Sequence, residues 1–215
     1  GYKTDGLIQT QEQLNAVKRA DFQPNAELGD VLFVDTNGDG KLDSSDRCMI
    51  GNPIPDIIYG INMGMAWKGF DLNLQFGGTI GNQIFNAMRY YTYFPNDITN
   101  KDRALMNYWT PNNTNTDIPR LTATDVNDND RFSDMYVENG TYFRLRNAQL
   151  GYTLPASLTQ RIKLQKVRFY VSGQNLFTIS SYSGMDPEVG YGGYQDWVSG
   201  IDLGFYPSCL LYTSP

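Results

Sequence analysis

Apolar and polar residues alternate strictly along residues 59–78, whose sequence is YGINMGMAWKGFDLNLQFGG. The apolar side chains occupy odd positions before Lys68 and Gly69 and even positions after them. Because successive side chains of a strand point to opposite faces, a two-residue turn at this pair predicts a hairpin with the apolar residues on one face. The other face is small and polar. Lys-Gly is not a favoured pair for a tight turn, and a four-residue turn would preserve the same pairing.

Two features of this hairpin indicate membrane strands. Each strand has about nine residues, the length that crosses a bilayer when tilted. Aromatic side chains mark both ends of the apolar face, with Trp67 and Phe70 beside the turn and Tyr59 and Phe76 at the other end. This is the girdle pattern of an outer-membrane barrel. A soluble sandwich hairpin also alternates and stays open as the alternative.

A second hairpin is predicted from FRLRNAQLGYTLP and VRFYVSGQNLF, which are joined by the basic turn ASLTQRIKLQK. Ala148, Leu150 and Tyr152 alternate with polar residues, whereas Phe143 and Leu145 are out of phase with them. The slip predicts either a β-bulge or a strand whose first residues lie above the membrane.

The connections between the strands are very unequal in length. The turns within the hairpins are short, whereas residues 1–56, 79–141 and 179–207 form long segments rich in Asn, Asp, Gly and Tyr. Compact soluble domains rarely carry structureless loops of that length, and outer-membrane barrels combine short turns inside with long loops outside. We therefore predict an all-β fold: an incomplete part of a transmembrane antiparallel β-barrel, with membrane hairpins at 57–78 and 142–178 and long extracellular loops. That makes about four membrane strands.

Composition narrows the possible functions. The chain of 215 residues is 13% aromatic and only 19% charged, and it contains no His. The net charge of −6 argues against nucleic acid as a partner, and no run of eighteen apolar residues marks a transmembrane helix. Without His, a GxSxG motif or a Cys–His pair, we expect no enzymatic activity.

Both ends of the chain suggest a piece of a longer protein. The chain starts at Gly1 without Met or a signal peptide, as expected for a processed or partial sequence. At the other end, the residues from Cys209 to Ser214 read CLLYTS, which resembles the translation of a transposase-derived sequencing adapter. We therefore predict that residues 208–215 are an artefact. A natural apolar tail is the alternative.

The sequence DTNGDGKLDSSD at residues 35–46 matches the spacing of a calcium loop. Calcium takes six to eight oxygen ligands, and such a loop supplies them from alternating positions around a Gly-enabled turn. A Gly/Asp-rich turn that caps its own backbone is the alternative. The strand-like and Pro-containing flanks argue against a helix–loop–helix switch. The candidate ligands are Asp35, Asn37, Asp39, Lys41 through its carbonyl oxygen, Asp43 through a water, and Asp46.

The second long loop is crowded with aromatic residues. Aromatic faces stack on sugar rings, and Tyr and Trp also anchor protein interfaces. Packing of the loop against its neighbours is the alternative that we favour for most of them. The candidate contacts for cargo or partner are Tyr90, Tyr91, Tyr93, Tyr108 and Trp109.

Four stretches together resemble the SusC/RagA family of TonB-dependent outer-membrane transporters. They cover most of residues 29–190. Each would be weak alone, but the series in this order is specific. The stretches are GDVLFVDTNGDGKLDSSDRCMIGNPIPDIIYGINMGMAWKGFDLNLQFGG, NYWTPNNTNTDIPR, YFRLRNAQLGYTLP and VSGQNLFTISSYSGMDPEVG.

The resemblance implies a location in the bacterial outer membrane and a barrel of about 22 strands with an N-terminal plug. It also implies energy from an inner-membrane TonB complex, a SusD-like lipoprotein over the extracellular mouth, and an oligosaccharide or peptide as cargo. The chain differs from the family pattern in that it lacks a signal peptide, a TonB box and a plug. The family's last strand, expected after Tyr206 and Pro207, is replaced by the adapter-like tail. Such a fragment cannot transport anything alone.

Two functions from different classes follow. The first is part of a barrel importer embedded in outer-membrane lipid, with a structural calcium ion stapling an extracellular loop. The second is a secreted, calcium-stabilised β-rich module for carbohydrate binding or adhesion. A barrel leaves Ile61, Met63, Met65, Leu72 and Leu74 facing lipid, whereas a soluble module must bury them under a second sheet. Too few further alternating strands are present to form that second sheet, so we favour the importer.

Overall fold

The computed structural model describes residues 1–94, 100–160, 163–188 and 199–204, together with the backbone of 211–213. Within these residues, no helix is long and apolar enough to span a bilayer. The helices are α1 (Gln11–Arg19), α2 (Ala87–Thr92) and α3 (Ala156–Thr159). The strands are β1 (Thr4–Leu7), β2 (Val31–Phe33), β3 (Ile57–Trp67), β4 (Phe70–Ile80), β5 (Gln83–Asn86), β6 (Val137–Asn139), β7 (Tyr142–Thr153), β8 (Arg168–Ser180), β9 (Ile201–Asp202) and β10 (Leu211–Thr213).

The main sheet is antiparallel, with strand order β10-β8-β7-β4-β3. The predicted pairing of the first hairpin is confirmed, since Trp67 lies opposite Phe70 and Ile61 opposite Phe76. The turn has two residues, and both take a positive φ, 45° at Lys68 and 90° at Gly69. A Cβ at the second position would lie 2.8 Å from a backbone carbonyl oxygen of β7. The turn therefore requires glycine there.

The predicted bulge in the second hairpin is confirmed and explains the slipped apolar pattern. Gln75 pairs with Asn147 and Phe76 pairs with Leu145, so Arg146 has no partner on β4. The pairing of β7 with β8 shifts at the same place, beside Asn175 with a φ of 54°. One extra residue in a strand reverses the faces of the residues beyond it. Phe143 and Leu145 therefore share the face of Leu150 in spite of their odd numbers.

The segments predicted as long loops contain folded structure. We define the cap as residues 1–56, 81–94, 100–141, 181–188 and 199–204. It contains the two-stranded sheet β1-β2, the three-stranded sheet β6-β5-β9 and two helices. In α1, Thr10 and Gln13 form a reciprocal capping box, and Leu14 is buried, which fixes the start of the helix. One hydrophobic cluster combines Tyr2, Leu7, Phe22, Val31, Phe33 and Trp109, and a second combines Ile8, Leu14 and Ala26.

A buried polar network joins the two long segments of the cap. The side chain of Gln23 accepts a hydrogen bond from the backbone of Phe33 and donates one to the backbone of Val31, at 3.0 and 2.9 Å. The Asn129 side chain accepts from the backbone N–H of Val31 at 2.8 Å and donates to Asp30 at 3.1 Å. Arg120 completes the network with a bond of 2.6 Å to the same aspartate. The free edge of β2 is thus closed by side chains, which explains how such a short strand is held.

The prediction for residues 208–215 is not tested by the fold. The backbone of β10 pairs with Ser172–Gln174 of β8 in this order: Leu211 with Gln174, Tyr212 with Gly173 and Thr213 with Ser172. Residues 205–210, where the family's last strand was expected to start, and residues 214–215 lie outside the described part of the chain. The adapter interpretation stays a prediction.

Candidate functional site

The outer face of the main sheet is apolar and open. Met63 is 50% exposed and Met65 66% exposed in β3, and Val171 in β8 is 61% exposed. No other described element covers this face, and the two hydrophobic clusters lie in the cap. Aromatic rings gather at both ends of this apolar face, which we call the apolar band. At the turn end the rings of Phe70 and Tyr152 are tilted against each other, with 4.5 Å between their centroids, and a cluster lies at the cap end. The rings of that cluster belong to Tyr59, Phe76, Phe143 and Phe177.

The inner face carries small, amide and charged residues, as predicted. Each of its charged side chains is paired with an opposite charge. At the turn end, Arg168 of β8 binds Asp71 of β4 through two hydrogen bonds, of 3.0 and 2.5 Å. Gly151 of β7 lies between them, and a Cβ there would stand 2.6 Å from both side chains. The glycine therefore leaves the space in which this ion pair crosses the middle strand.

At the cap end, residues 181–188 return onto the inner face and are held by two arginines of β7. Arg144 is 3% exposed and donates to Thr178 at 2.8 Å, to Glu188 at 2.7 Å and to Asp186. Arg146 binds the other oxygen of Glu188 at 2.9 Å. A buried ion pair of this kind is costly to break from one side, because the remaining charge has no water around it. We call these four charged residues the latch.

The aromatic candidates divide according to their environment. Trp109 is buried in the first hydrophobic cluster of the cap, and its indole lies directly over Gly29. Its position supports the packing alternative. Tyr90 is half-buried and stacked on Phe132 with 4.5 Å between the ring centroids, whereas Tyr91 is 51% exposed.

Tyr93 and Tyr108 are half-buried. Contact with cargo or partner stays a prediction for these tyrosines.

A cleft of about 490 Å³ opens in the cap between α2 and residues 183–185. Arg89 forms part of its wall: it binds Asp117 at 2.5 Å, and its guanidinium lies 4.8 Å from the ring centre of Tyr93. Burial of this guanidinium lowers its pKa, but the bond to Asp117 outweighs that effect and the pKa is raised. Glu138 on the adjoining wall accepts from Asn86, from the Ser183 hydroxyl and from the Ser183 backbone. These polar groups mainly hold the walls together.

The six candidate calcium ligands lie on one loop, and the side chains of all except Lys41 cap its backbone. Asp35 accepts hydrogen bonds from the N–H groups of Gly38 and Gly40, at 2.6 and 2.8 Å. Asp46 is fully buried and accepts from the backbones of Thr36 and Asp43, both at 3.0 Å. The remaining side chains, of Asn37, Asp39 and Asp43, each accept from a backbone N–H two residues ahead.

The candidate ligands suit calcium chemically, because every atom that they would offer to the ion is an oxygen. In the described part of the chain, however, no three acidic, Cys or His side chains are gathered closely enough to hold a metal ion. The self-capped turn that the sequence left as the alternative is therefore the arrangement present here. Calcium binding stays a prediction.

We expect calcium, if it binds, to do so with a dissociation constant of about 0.1–1 mM, as in extracellular modules. Bound calcium should protect residues 35–46 from protease. Asp39→Ala should abolish this protection without changing membrane insertion of the full-length protein. Limited proteolysis with and without calcium measures the protection in the wild type and its loss in the variant. Unchanged cleavage, together with no heat of binding in calorimetry, would refute a structural role for calcium in this loop.

The loop should also respond to acid. The N–H of Gly40 holds the pKa of Asp35 below its ordinary value of 3.8, and the N–H of Ser45 does the same for the pKa of Asp43. Because the folded-state pKa values are depressed, these carboxylates stabilise the loop above pH 3.8, and the stabilisation is lost as the pH falls through the lower folded values. Hydrogen exchange at Gly38 and Gly40, corrected for intrinsic rates, should therefore accelerate only below about pH 4. In Asp35→Asn this acid-dependent step should be much reduced.

Comparison with known proteins identifies the family. The chain is 38% identical over 200 residues to TonB-dependent receptor P3 of Formosa agariphila, covering 90% of this chain and 19% of that protein. It is 29% identical over 192 residues to TonB-dependent receptor SusC of Bacteroides thetaiotaomicron, covering 89% and 18%. The RagAB peptide importer in its open-open state superposes with a TM-score of 0.71 at 26% identity, covering 99% of this chain and 21% of that one.

The chain belongs to the SusC/RagA family of TonB-dependent receptors. No protein-family model matches it. The chain spans about a fifth of the length of the relatives that it matches. SusC/RagA receptors are outer-membrane proteins, so the predicted location and barrel-type sheet are confirmed. In a barrel wall, an exposed apolar outer face of this kind is the one expected to meet lipid.

Sequence reasoning about this SusC/RagA chain missed the latch and the crossing ion pair. Two arginines in FRLR and two acids in MDPE were visible, and their opposite charges on neighbouring elements could have suggested a contact. The pairing of Arg168 with Asp71 was less accessible, because it depends on the exact register of three strands around Gly151.

Proposed function

We propose that the protein to which this chain belongs imports oligosaccharides or peptides across the outer membrane. The observation that carries the proposal is the two-faced sheet, with an exposed apolar outer face and a polar inner face whose charges are paired. A wall of this kind separates lipid from a hydrated interior. The relatives support this class, since one structure that matches is named a peptide importer and the sequence relatives are named TonB-dependent receptors.

The position of the cap relative to the membrane suggests the partners of the protein. The cap lies at the end of the strands opposite the hairpin turns, and we place it on the extracellular side. There a SusD-like lipoprotein would meet it, with the half-exposed tyrosines of the cap as contacts for that lipoprotein or for cargo. Energy would come from an inner-membrane TonB complex acting through parts of the protein beyond this chain. We propose no catalytic step, because import requires none.

The secreted-module alternative is less well supported. Such a module must bury Ile61, Met63, Met65, Leu72 and Leu74 under a second sheet. In the described part of the chain no second sheet lies against them, and Ile61 is 48% exposed. Leaving a band of this size in water would favour aggregation.

Cell fractionation combined with uptake tests the proposal. The full-length protein should sediment with the outer membrane. Deletion of its gene should abolish uptake of one class of labelled oligosaccharide or peptide, and uptake should also require TonB. Recovery from the culture medium together with normal uptake in the deletion strain would contradict import. It would favour the secreted module.

A further inference from the structure

The turn end of the main sheet carries a continuous row of aromatic rings on its outer face. The cross-strand register places Trp67 opposite Phe70, Phe70 opposite Tyr152, and Tyr152 opposite Phe169. The row thus crosses β3, β4, β7 and β8, and Trp67 is 70% exposed. Trp and Tyr collect at the level of lipid headgroups, because their rings have an apolar body and a polar tip. The row therefore marks the limit of the apolar band at this end.

The same end of the sheet is basic. In the two hairpins, residues 57–80 and 142–180, the only acidic residue is Asp71, and it is bound to Arg168. Beyond the aromatic row, both turns carry lysines. In the cap, by contrast, acidic residues outnumber basic ones, so a chain with a negative net charge has one positively charged end. We define the basic rim as Lys68 in the first turn and Lys163 and Lys166 in the second.

The basic rim has charge available for a ligand. All three lysines are exposed, and among the residues that the structure describes none of them forms an ion pair with a carboxylate. The ammonium group of Lys68 lies 4.9 Å from the ring centre of Trp67. Because Trp67 belongs to the outer aromatic row, this charge is held on the side of the apolar band.

The second turn is folded and presents apolar side chains together with its lysines. The N–H of Leu164 donates to the carbonyl oxygen of Thr159 at 3.0 Å, and Thr159 is 1% exposed. Leu158 and Leu164 are 50% and 49% exposed. Exposed leucines beside lysines are the composition of segments that lie at a membrane surface, with the apolar groups in the acyl region and the charges among the headgroups.

We infer that this turn end is a binding site for the headgroup of an acidic phospholipid. The inference rests on the proposed placement of the sheet in the outer membrane and is independent of the cargo. The phosphate of the lipid would lie among the lysines of the basic rim. Its acyl chains would lie along the aromatic row and the apolar band. The acidic cap would repel the same lipid at the other end.

Two features favour a lipid over a soluble polyanion. A soluble partner requires the lysines but not the adjoining row of exposed aromatic rings, whereas an acidic phospholipid uses both. The row and the ammonium group of Lys68 also lie on the outer face of the wall. Further strands of a complete barrel extend the wall to either side and leave this face towards the lipid.

The first test measures which lipid surrounds each end of the sheet in the full-length protein. A fluorophore is attached through a single cysteine at position 158 in the second turn. The control label is at position 179, where Ile179 is 64% exposed on the outer face at the cap end. The protein is reconstituted into vesicles of phosphatidylcholine and phosphatidylglycerol with the same composition in both leaflets. Either lipid, carrying a spin label on its headgroup, is then titrated in as a quencher.

We expect phosphatidylglycerol to half-quench the label at position 158 at a concentration at least about tenfold below phosphatidylcholine, since each lysine near an acidic lipid surface contributes a factor of about five. The two lipids should quench equally at position 179, and high salt should remove the difference at position 158. Equal quenching at position 158 in low salt, or the same preference at both positions, would overturn the inference and leave import standing. Quenching by neither lipid at either position would contradict the membrane placement and import with it.

The second test removes charge from the basic rim. Lys163→Gln combined with Lys166→Gln should lower the preference at position 158 at least about fivefold. Lys3→Gln combined with Lys18→Gln removes the same charge from exposed positions of the cap and should keep the wild-type preference. Unchanged quenching by phosphatidylcholine shows that a variant is still folded in the membrane. A preference that survives in the Lys163 and Lys166 variant, or that falls equally in both variants, would overturn the inference.

Discussion

Met63→Arg is expected to destabilise the membrane-inserted protein by about 2–4 kcal/mol, the cost of an arginine at the middle of a lipid-facing strand. Met63 is central in the apolar band, where it pairs with Leu74 of β4, which in turn pairs with Ala148 of β7. Half of its side chain is open on the outer face, so a guanidinium placed there would stand in hydrocarbon. Urea titration of the full-length protein folded into lipid vesicles, followed by tryptophan fluorescence, measures the loss.

The neighbouring position provides the control. Asn62→Arg introduces the same side chain one residue away on the inner face, beside other polar groups. We expect its free energy of unfolding to stay within about 0.5 kcal/mol of the wild type, as for ordinary exposed substitutions. Equal losses in the two variants would contradict the assignment of the faces. A small loss in Met63→Arg would place the apolar band in water or in a protein interior that tolerates charge.

Arg144→Met is expected to cost about 3–5 kcal/mol, because it removes the most buried charge of the latch together with its bonds to Asp186 and Glu188. Arg144 contacts Asp186, Glu188 and Thr178 and is almost completely buried. The loss should release residues 181–188 from the inner wall. We expect faster protease cleavage in this segment and a lower urea midpoint for the full-length protein.

Arg19→Met is the matched control for the latch. Arg19 is exposed in the last turn of α1, and the same substitution there should change stability by no more than about 0.5 kcal/mol. The double variant Arg144→Met, Asp186→Leu should recover part of the loss, because it removes one charge of each sign and leaves Arg146 bound to Glu188. If Arg144→Met behaved like Arg19→Met, the latch would have no role in holding the segment.

The main sheet was predictable because a period of two leaves few solutions. A slip of one residue would turn Met63 and Leu74 to the polar side, so the apolar pattern alone determines the register of the first hairpin. The same reasoning detected the irregularity beside Leu145, where the structure has its bulge. The apolar pattern alone could not decide whether this irregularity was a β-bulge or the start of a segment above the membrane. That depended on the unpaired Arg146 and on the backbone of Asn175.

The cap was not predictable from pattern, because its elements are short and its stability comes from contacts distant in sequence. Trp109 packs with Tyr2 and Phe33, and Gln23 satisfies the backbone of β2. Neither contact leaves a periodic trace in the sequence. The unequal loop lengths predicted that these segments lie outside the membrane, but they did not indicate that the segments fold around a hydrophobic core.

The Asp-rich loop shows why spacing alone could not establish a metal site. The side chains of Asp35 and Asp46 that suit calcium also suit the N–H groups of a tight turn, because Asx residues accept such bonds readily. Both uses require the same residue types at nearly the same positions. Only a binding measurement separates them.

The central claim is that β3 forms part of a membrane wall, with its odd-numbered residues towards lipid. Spin labels placed one at a time at positions 61 to 65 of the full-length protein, with its native cysteines, Cys48 among them, replaced by Ser, test it most directly. Collision with oxygen, which concentrates in lipid, and with a water-soluble nickel chelate is then measured at each position. The account predicts that oxygen dominates at Ile61, Met63 and Met65 and that nickel dominates at Asn62 and Gly64. Equal access of nickel to all five positions, or shielding of the odd positions from both probes, would contradict it.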